Sequence, residues 1–148
     1  MTKKSICFGL FFFLISCTHT EESPNSLSVA AKREKVWKVL VEIFKTYPLK
    51  IIDEQLGYIE TETIKSSQVW KAPHQKKKDF SGYSYLLKVN LNYNKPVSTV
   101  TINKKIYKQK GFISKKQEIP SDHLEETALI YQIARELEVQ ALLRRLAK

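Results

Sequence analysis

Residues 83–109 read YSYLLKVNLNYNKPVSTVTINKKIYKQ, and this stretch decides the fold. Tyr83, Tyr85, Leu87, Val89, Leu91 and Tyr93 occupy every second position; Ser84, Lys88, Asn90 and Asn92 alternate with them, and Leu86 is the exception. Successive side chains of a strand point to opposite faces, so the alternation predicts a strand with one buried and one wet face. Asn94-Lys95-Pro96 has the chemistry of a turn. Val97 to Gln109, rich in β-branched residues, predicts the returning strand, with Val100, Ile102 and Ile106 inward. Lys104 falls on the same inward face, and a charge there predicts a bulge or a strand end nearby.

Moving outward toward the C-terminus, Gly111 and Pro120 bound Phe112 to Ile119, which predicts a short edge strand whose Lys115 and Lys116 discourage unwanted pairing. The last element is a helix from about Asp122 to Lys148. Asp122 and Glu125 have the spacing of a capping box. Leu124, Ile130, Ile133, Ala134, Leu137, Ala141 and Leu142 form a broad apolar side, and Arg144, Arg145 and Lys148 suit the negative end of the helix dipole.

Toward the N-terminus, Lys65 to Gly82 is the longest irregular stretch and holds Trp70, Pro73, His74 and the run Lys76-Lys77-Lys78. Such a loop suits a membrane surface or an interface, and equally an ordinary exposed loop with Trp70 folded onto the core. Before it, Tyr58 to Ile64 and Leu49 to Asp53 read as two strands joined by a turn at Glu54-Gln55-Leu56-Gly57, where Gly57 is free to take a positive φ. Val29 to Thr46 predicts a helix: Val36, Trp37, Leu40, Val41, Phe44 and Tyr47 recur at three- and four-residue spacing, with Lys35, Lys38, Glu42 and Lys45 mostly on the other side. Pro48 marks its end. Trp37 and Phe44 read as core residues. The order helix, hairpin, long hairpin, helix predicts an α+β domain: an antiparallel sheet of about four to five strands packed on one face by two amphipathic helices.

The first 17 residues carry a different message. Lys3 and Lys4 precede an apolar run, Ile6 to Ile15, that is too short to cross a bilayer. The run closes on Leu14-Ile15-Ser16-Cys17: an aliphatic residue, a medium one, a small one, then cysteine. Small Ser16 admits a peptidase to the bond before Cys17, whose thiol is a nucleophilic handle for a diacylglyceryl group. This pattern resembles the lipobox of bacterial lipoproteins. The resemblance implies that residues 1–16 are a signal peptide and that Cys17 becomes an N-terminus bearing three acyl chains, palmitate among them. Two or more such chains anchor stably where one does not. Lipoproteins retained in the inner membrane of enteric bacteria usually carry Asp after the cysteine; Thr18 stands there in this chain. The family rule therefore points to the outer membrane, on its periplasmic face, although it varies between bacteria and leaves the inner membrane open. Residues 17–28, polar and containing Pro24, read as a flexible tether, and 29–148 as one periplasmic domain.

Composition bounds the chemistry. Cys7 and Cys17 are the two cysteines, so a mature domain without the signal has neither a disulfide nor a free thiol. Removing Lys3 and Lys4 leaves 23 of 25 basic residues against 15 acidic ones. Export argues against nucleic acid as the partner of this charge. It points to anionic headgroups, lipopolysaccharide phosphates or an acidic protein surface, or to a merely solvated lysine-rich surface. His19, His74 and His123 are scattered and have no metal-ligand spacing. No serine sits in a nucleophile elbow, and the four glycines form no phosphate-cradling loop. Glu60 and Glu62 are the best carboxylate pair, about 7 Å apart on one strand face, but a wet strand face accounts for them. No enzyme, no cofactor and no small-molecule substrate are expected.

The run VWKVLVEIFKTYPLKIIDEQLGYIETETI, residues 36–64, followed by Trp70, is similar to the helix-grip repeat of BamC-type lipoproteins. In that family an amphipathic helix opening with tryptophan leads into a strand, a turn with an acidic residue and glycine, and a second strand ending near Thr and Trp. The matching places are Val36, Trp37, Leu40, Phe44, Ile51, Asp53, Gly57, Ile59 and Thr61, and Asp122 to Lys148 falls where the family's second helix would. Members accompany the machinery that inserts β-barrel proteins into the outer membrane. The resemblance therefore implies a non-catalytic interaction or scaffold module with an envelope protein as partner. Two departures matter: the family typically has a long unstructured N-terminal segment and two such domains, whereas this chain reads as a short tether and one domain. No family binding residues map onto it. The alternative is binding of lipopolysaccharide or another anionic glycolipid through Lys88, Lys104, Lys105, Lys108 and Lys110, helped by Tyr83 and Tyr85. Trp70, Lys76, Lys77 and Lys78 complete the candidate surface for either partner.

Overall fold

The alternation in residues 83–109 is realised as an unbroken antiparallel hairpin. A computed structural model describes residues 25–65, 82–109 and 115–147 of the chain. In chain order the described elements are β1 (Ser26–Val29), α1 (Arg33–Phe44), β2 (Leu49–Asp53), β3 (Tyr58–Thr61), β4 (Ile64–Lys65), β5 (Tyr83–Asn94), β6 (Val97–Lys108), β7 (Gln117–Ile119) and α2 (Leu124–Leu146). The expected signal segment and Cys17 lie outside the described residues. So do most of the expected tether, the stretch carrying Trp70 and Lys76 to Lys78, and Lys110 to Ser114.

The fold is α+β, with an open antiparallel sheet. Its seven described strands fill five lanes in the order β1-β6-β5-β3-β2, with β4 also on β5 and β7 also on β6. Two lanes are shared. β3 pairs Glu60 with Lys88 and β4 pairs Ile64 with Tyr85, a one-residue slip that makes β3 and β4 one interrupted strand. Thr61 bridges the break: its hydroxyl accepts the Leu87 N–H at 3.0 Å. On the other side of the hairpin, β1 covers Ser98 to Thr101 of β6 and β7 covers Ile106 to Lys108, which leaves a gap between them.

Register sorts the faces. Leu91, Val89, Leu87 and Tyr85 stand opposite Val100, Ile102, Lys104 and Ile106, and Ile59 stands opposite Val89. This face holds the core, and both helices pack on it: Val36, Trp37, Val39, Leu40, Ile43 and Phe44 from α1, Leu129 and Ile133 from α2. Trp37 and Phe44 are buried, as their spacing predicts. Full burial of a large apolar side chain is worth about 1.5–3 kcal/mol, so the α1 stripe is a principal source of stability. The turn before β3 binds the start of α1: Arg33 donates to the carbonyls of Glu54 and of Gln55, the latter at 2.8 Å. Gly57 takes φ +65° there, and a Cβ would meet the Leu91 carbonyl at 2.5 Å, so both conformation and space require glycine.

Three expectations are corrected. Ser26 to Ser28 belong to the sheet rather than the tether, because their backbone completes the open edge of β6. α1 begins at Arg33, since Val29 is still paired with Ser98. The edge strand expected over Phe112 to Ile119 forms at Gln117–Ile119, and Phe112 to Ser114 lie outside the described residues. No bulge interrupts β6 at Lys104, which stands opposite Leu87 in continuous register; its charge is matched instead of expelled.

Candidate functional site

Lys104 is the seed of a buried polar cluster between the sheet and both helices. β6 directs its side chain to the core face, where it is 10% exposed. An inward ammonium needs a carboxylate, because an uncompensated buried charge costs several kcal/mol. α2 supplies it: Glu125 Oε2 lies 3.0 Å from Lys104 Nζ, and Asp122 lies at 3.8 Å. The same ammonium stands 5.0 Å from the centroid of the Tyr85 ring. The other oxygen of Glu125 accepts from Tyr85 at 3.1 Å and from Tyr47, just beyond α1, at 3.4 Å. One carboxylate thus joins both helices to the central hairpin.

Burial first, then the nearby Glu125 charge, pushes the Tyr47 hydroxyl up to about 12; the same causes in the same order raise Tyr85. Both phenols are neutral hydrogen-bond donors at physiological pH.

Glu126 does something different. It is fully buried, and its Oε1 accepts the backbone N–H of Lys104 at 3.2 Å. That N–H lies in the gap between β1 and β7, so a side-chain carboxylate completes the ladder where no strand does. His123 Nδ1 is 3.5 Å from the same oxygen, and Oε2 has no hydrogen-bond partner among the described residues.

The backbone entering α2 is bent to aim both glutamates inward. His123 takes the left-handed conformation, φ 57°, which costs a non-glycine residue about 1–3 kcal/mol. Side chains hold it. Ser121 Oγ accepts the His123 N–H at 3.1 Å, Asp122 accepts the Leu124 N–H at 3.3 Å, and Thr127 donates to the His123 carbonyl at 2.8 Å. The expected capping box is therefore not formed: Glu125 has the right spacing but is drawn to Tyr47, Tyr85 and Lys104.

A second network lies on the opposite sheet face. Glu60 is buried there and receives Tyr58, Lys50 at 3.0 Å and Lys88 at 3.3 Å. Hydrogen bonds from Tyr58 and then Lys50 hold its carboxyl at about 2, well below the usual range, with Lys88 adding to them. Its hydrogen bond in turn raises Lys88. Glu60 is a paired anion rather than an acid, and Glu62 lies past the end of β3 and is exposed.

The candidate lysines do not share one surface. Lys88 and Lys105 point to the outer face, where Lys105 stands 3.4 Å from Glu118. Lys104 and Lys108 point to the helix face, where Lys108 lies 5.0 Å from the Tyr83 ring centroid. Lys110, Trp70, Lys76, Lys77, Lys78 and Cys17 lie outside the described residues. Sequence reasoning missed Tyr47, Glu125 and Glu126 as partners; the available signal was Lys104 itself, an inward charge that demanded an acidic neighbour.

Among the described residues no group of three or more His, Cys, Asp or Glu side chains is arranged to hold a metal, and no helix is long and apolar enough to cross a membrane. No protein-family model matches the chain, and no curated protein matches it.

Proposed function

We propose that this chain is a lipoprotein of the outer membrane, anchored through acylated Cys17 and facing the periplasm. Its domain is of helix-grip type and works as a non-catalytic interaction or scaffold module, accessory to outer-membrane protein assembly. The observation that carries the reading is the register of Lys3-Lys4, the apolar run to Ile15 and Leu14-Ile15-Ser16-Cys17, set a few residues ahead of a folded domain. The sheet begins at Ser26, and the nine residues from Cys17 to that point span at most about 32 Å when fully extended. Such a tether keeps the domain beside its bilayer.

Helix α1 across the sheet, the β2–β3 hairpin turned at Gly57 and α2 packed beside α1 support the helix-grip assignment. The non-catalytic reading is supported by the two charge networks, whose carboxylates are engaged with lysines, tyrosines or the backbone. What the domain offers a partner is therefore surface: the outer face of the sheet and the outer side of α2. A glycolipid site on the lysines is the weaker reading, because Lys88, Lys104 and Lys105 already face carboxylates and the four described lysines divide between two faces.

Fractionation of cells tests the anchor. The wild-type chain is expected in the membrane fraction, resistant to high salt and released by detergent, while Cys17→Ala leaves it. Equal retention of both, or release of the wild type by salt, would remove this reading.

A further inference from the structure

Helix α2 is apolar on two opposite sides. At 3.6 residues per turn its core residues Leu129 and Ile133 lie on one side, with Glu126 about 20° beyond Ile133. Leu124, Tyr131, Leu142 and Leu146 fall within a sector of about 60° on the other side. These four are 59%, 66%, 50% and 84% exposed, and Val139 borders them at 40%. The stripe runs nearly the length of a 23-residue helix, and no described element covers it. Large exposed apolar side chains gathered on one side of a helix in this way mark a contact surface.

Two charges interrupt the stripe near its middle, Arg135 and Glu138, both exposed. They stand three residues apart on one helix, yet neither has an ion-pair partner among the described residues. Their order is self-complementary. A twofold axis crossing the helix between Glu136 and Leu137 sets Arg135 against Glu138 of a second copy. It also sets Tyr131 against the second copy's Leu142 and brings Leu146 near its Ala128. Each contact then occurs twice, as an isologous interface requires.

We propose that the occupant of this stripe is a second copy of the chain, with the two α2 helices packed antiparallel about that axis. The inference stands on α2 alone and does not depend on the lipid anchor. Leucines and tyrosine close the seam, and the paired Arg135 and Glu138 fix its register and direction, as flanking charges do in helical pairs.

The test is the mass in solution of the full chain, in detergent, over a wide concentration range, for four versions. The wild type is expected to reach twice the mass of a single chain. Arg135→Glu and Glu138→Arg each place like charges together twice and are expected to weaken the dimer about tenfold or more. The double variant, with both charges exchanged, restores the attraction and is expected to return to within about threefold of the wild type. Both positions are exposed, so the exchanges leave the fold in place, which a thermal melt verifies. A wild type that stays monomeric overturns the proposal, whether it instead binds anionic vesicles or another protein. A dimer indifferent to the single exchanges, or one that the double exchange does not restore, overturns it as well.

Discussion

Helix α1 buries Val36, Trp37, Val39, Leu40, Ile43 and Phe44 and turns Glu34, Lys35, Lys38, Glu42 and Lys45 to solvent. Helix α2, nearly twice as long, buries Glu126, Leu129 and Ile133 and leaves Leu124, Tyr131, Leu142 and Leu146 outside. The first is a helix whose sequence is accounted for by its own domain. The second contains more apolar residues than its domain uses, and its attachment rests on charge as much as on packing. Glu125 and Glu126 fasten its first turn to β6, while residues 141–147 are all exposed. The difference separates what the domain needs to fold from what it presents to others.

The sharpest way to break this comparison is to truncate the α1 stripe. Phe44 is fully buried, and Phe44→Ala is expected to remove about 3–5 kcal/mol from the unfolding free energy in urea. A loss under 1 kcal/mol would mean that α1 is not the stabilising helix.

Next comes the joint between the helices. Tyr47 is pushed up to about 12 and Tyr85 is raised with it, whereas unfolded tyrosines titrate near 10. A pKa raised on folding stabilises below the unfolded value. This contribution is therefore complete below pH 10 and is lost as pH climbs from about 10 through 12. Thermal melts are expected to fall over that window by the equivalent of about 1–2 kcal/mol, and the fall should flatten when Tyr47 and Tyr85 are both phenylalanine. Glu60 has the opposite sign. Its carboxyl is lowered from 4.5 to about 2, so its contribution is present above about pH 4.5 and disappears as pH falls toward 2. Glu60→Gln is expected to flatten that acid limb.

The smallest effect on folding is expected at the outer side of α2. Leu142→Ala, measured on dilute monomer, should change stability by no more than about 0.5 kcal/mol. A large loss there would show that α2's outer side is part of the fold.

Much of this architecture was legible in the sequence. The alternation from Tyr83 to Tyr93, the β-branched return strand, the bounds of Leu49 to Asp53 and the positive φ of Gly57 all follow from local patterns, and local patterns survive when the surroundings agree with them. What escaped depends on distant partners. Ser26–Val29 is four residues long and carries little signal of its own; it becomes a strand because β6, some seventy residues later, leaves an edge to pair. Lys104 was visible as an inward charge, but its partner waits 21 residues further on in a segment whose spacing favoured a cap. Glu125 could satisfy the local capping pattern or the Tyr47, Tyr85 and Lys104 groups from three other elements, and the buried alternative won.

The most direct test of the account is a photo-crosslinking side chain placed in intact cells at Leu142 in one experiment and at Lys38, on the solvent side of α1, in another. The Leu142 probe is expected to give a membrane-associated adduct of about twice the mass of the mature chain, and the Lys38 probe to give none. Equal labelling from both helices, or no adduct from Leu142, would contradict the claim that α2 carries a second working face.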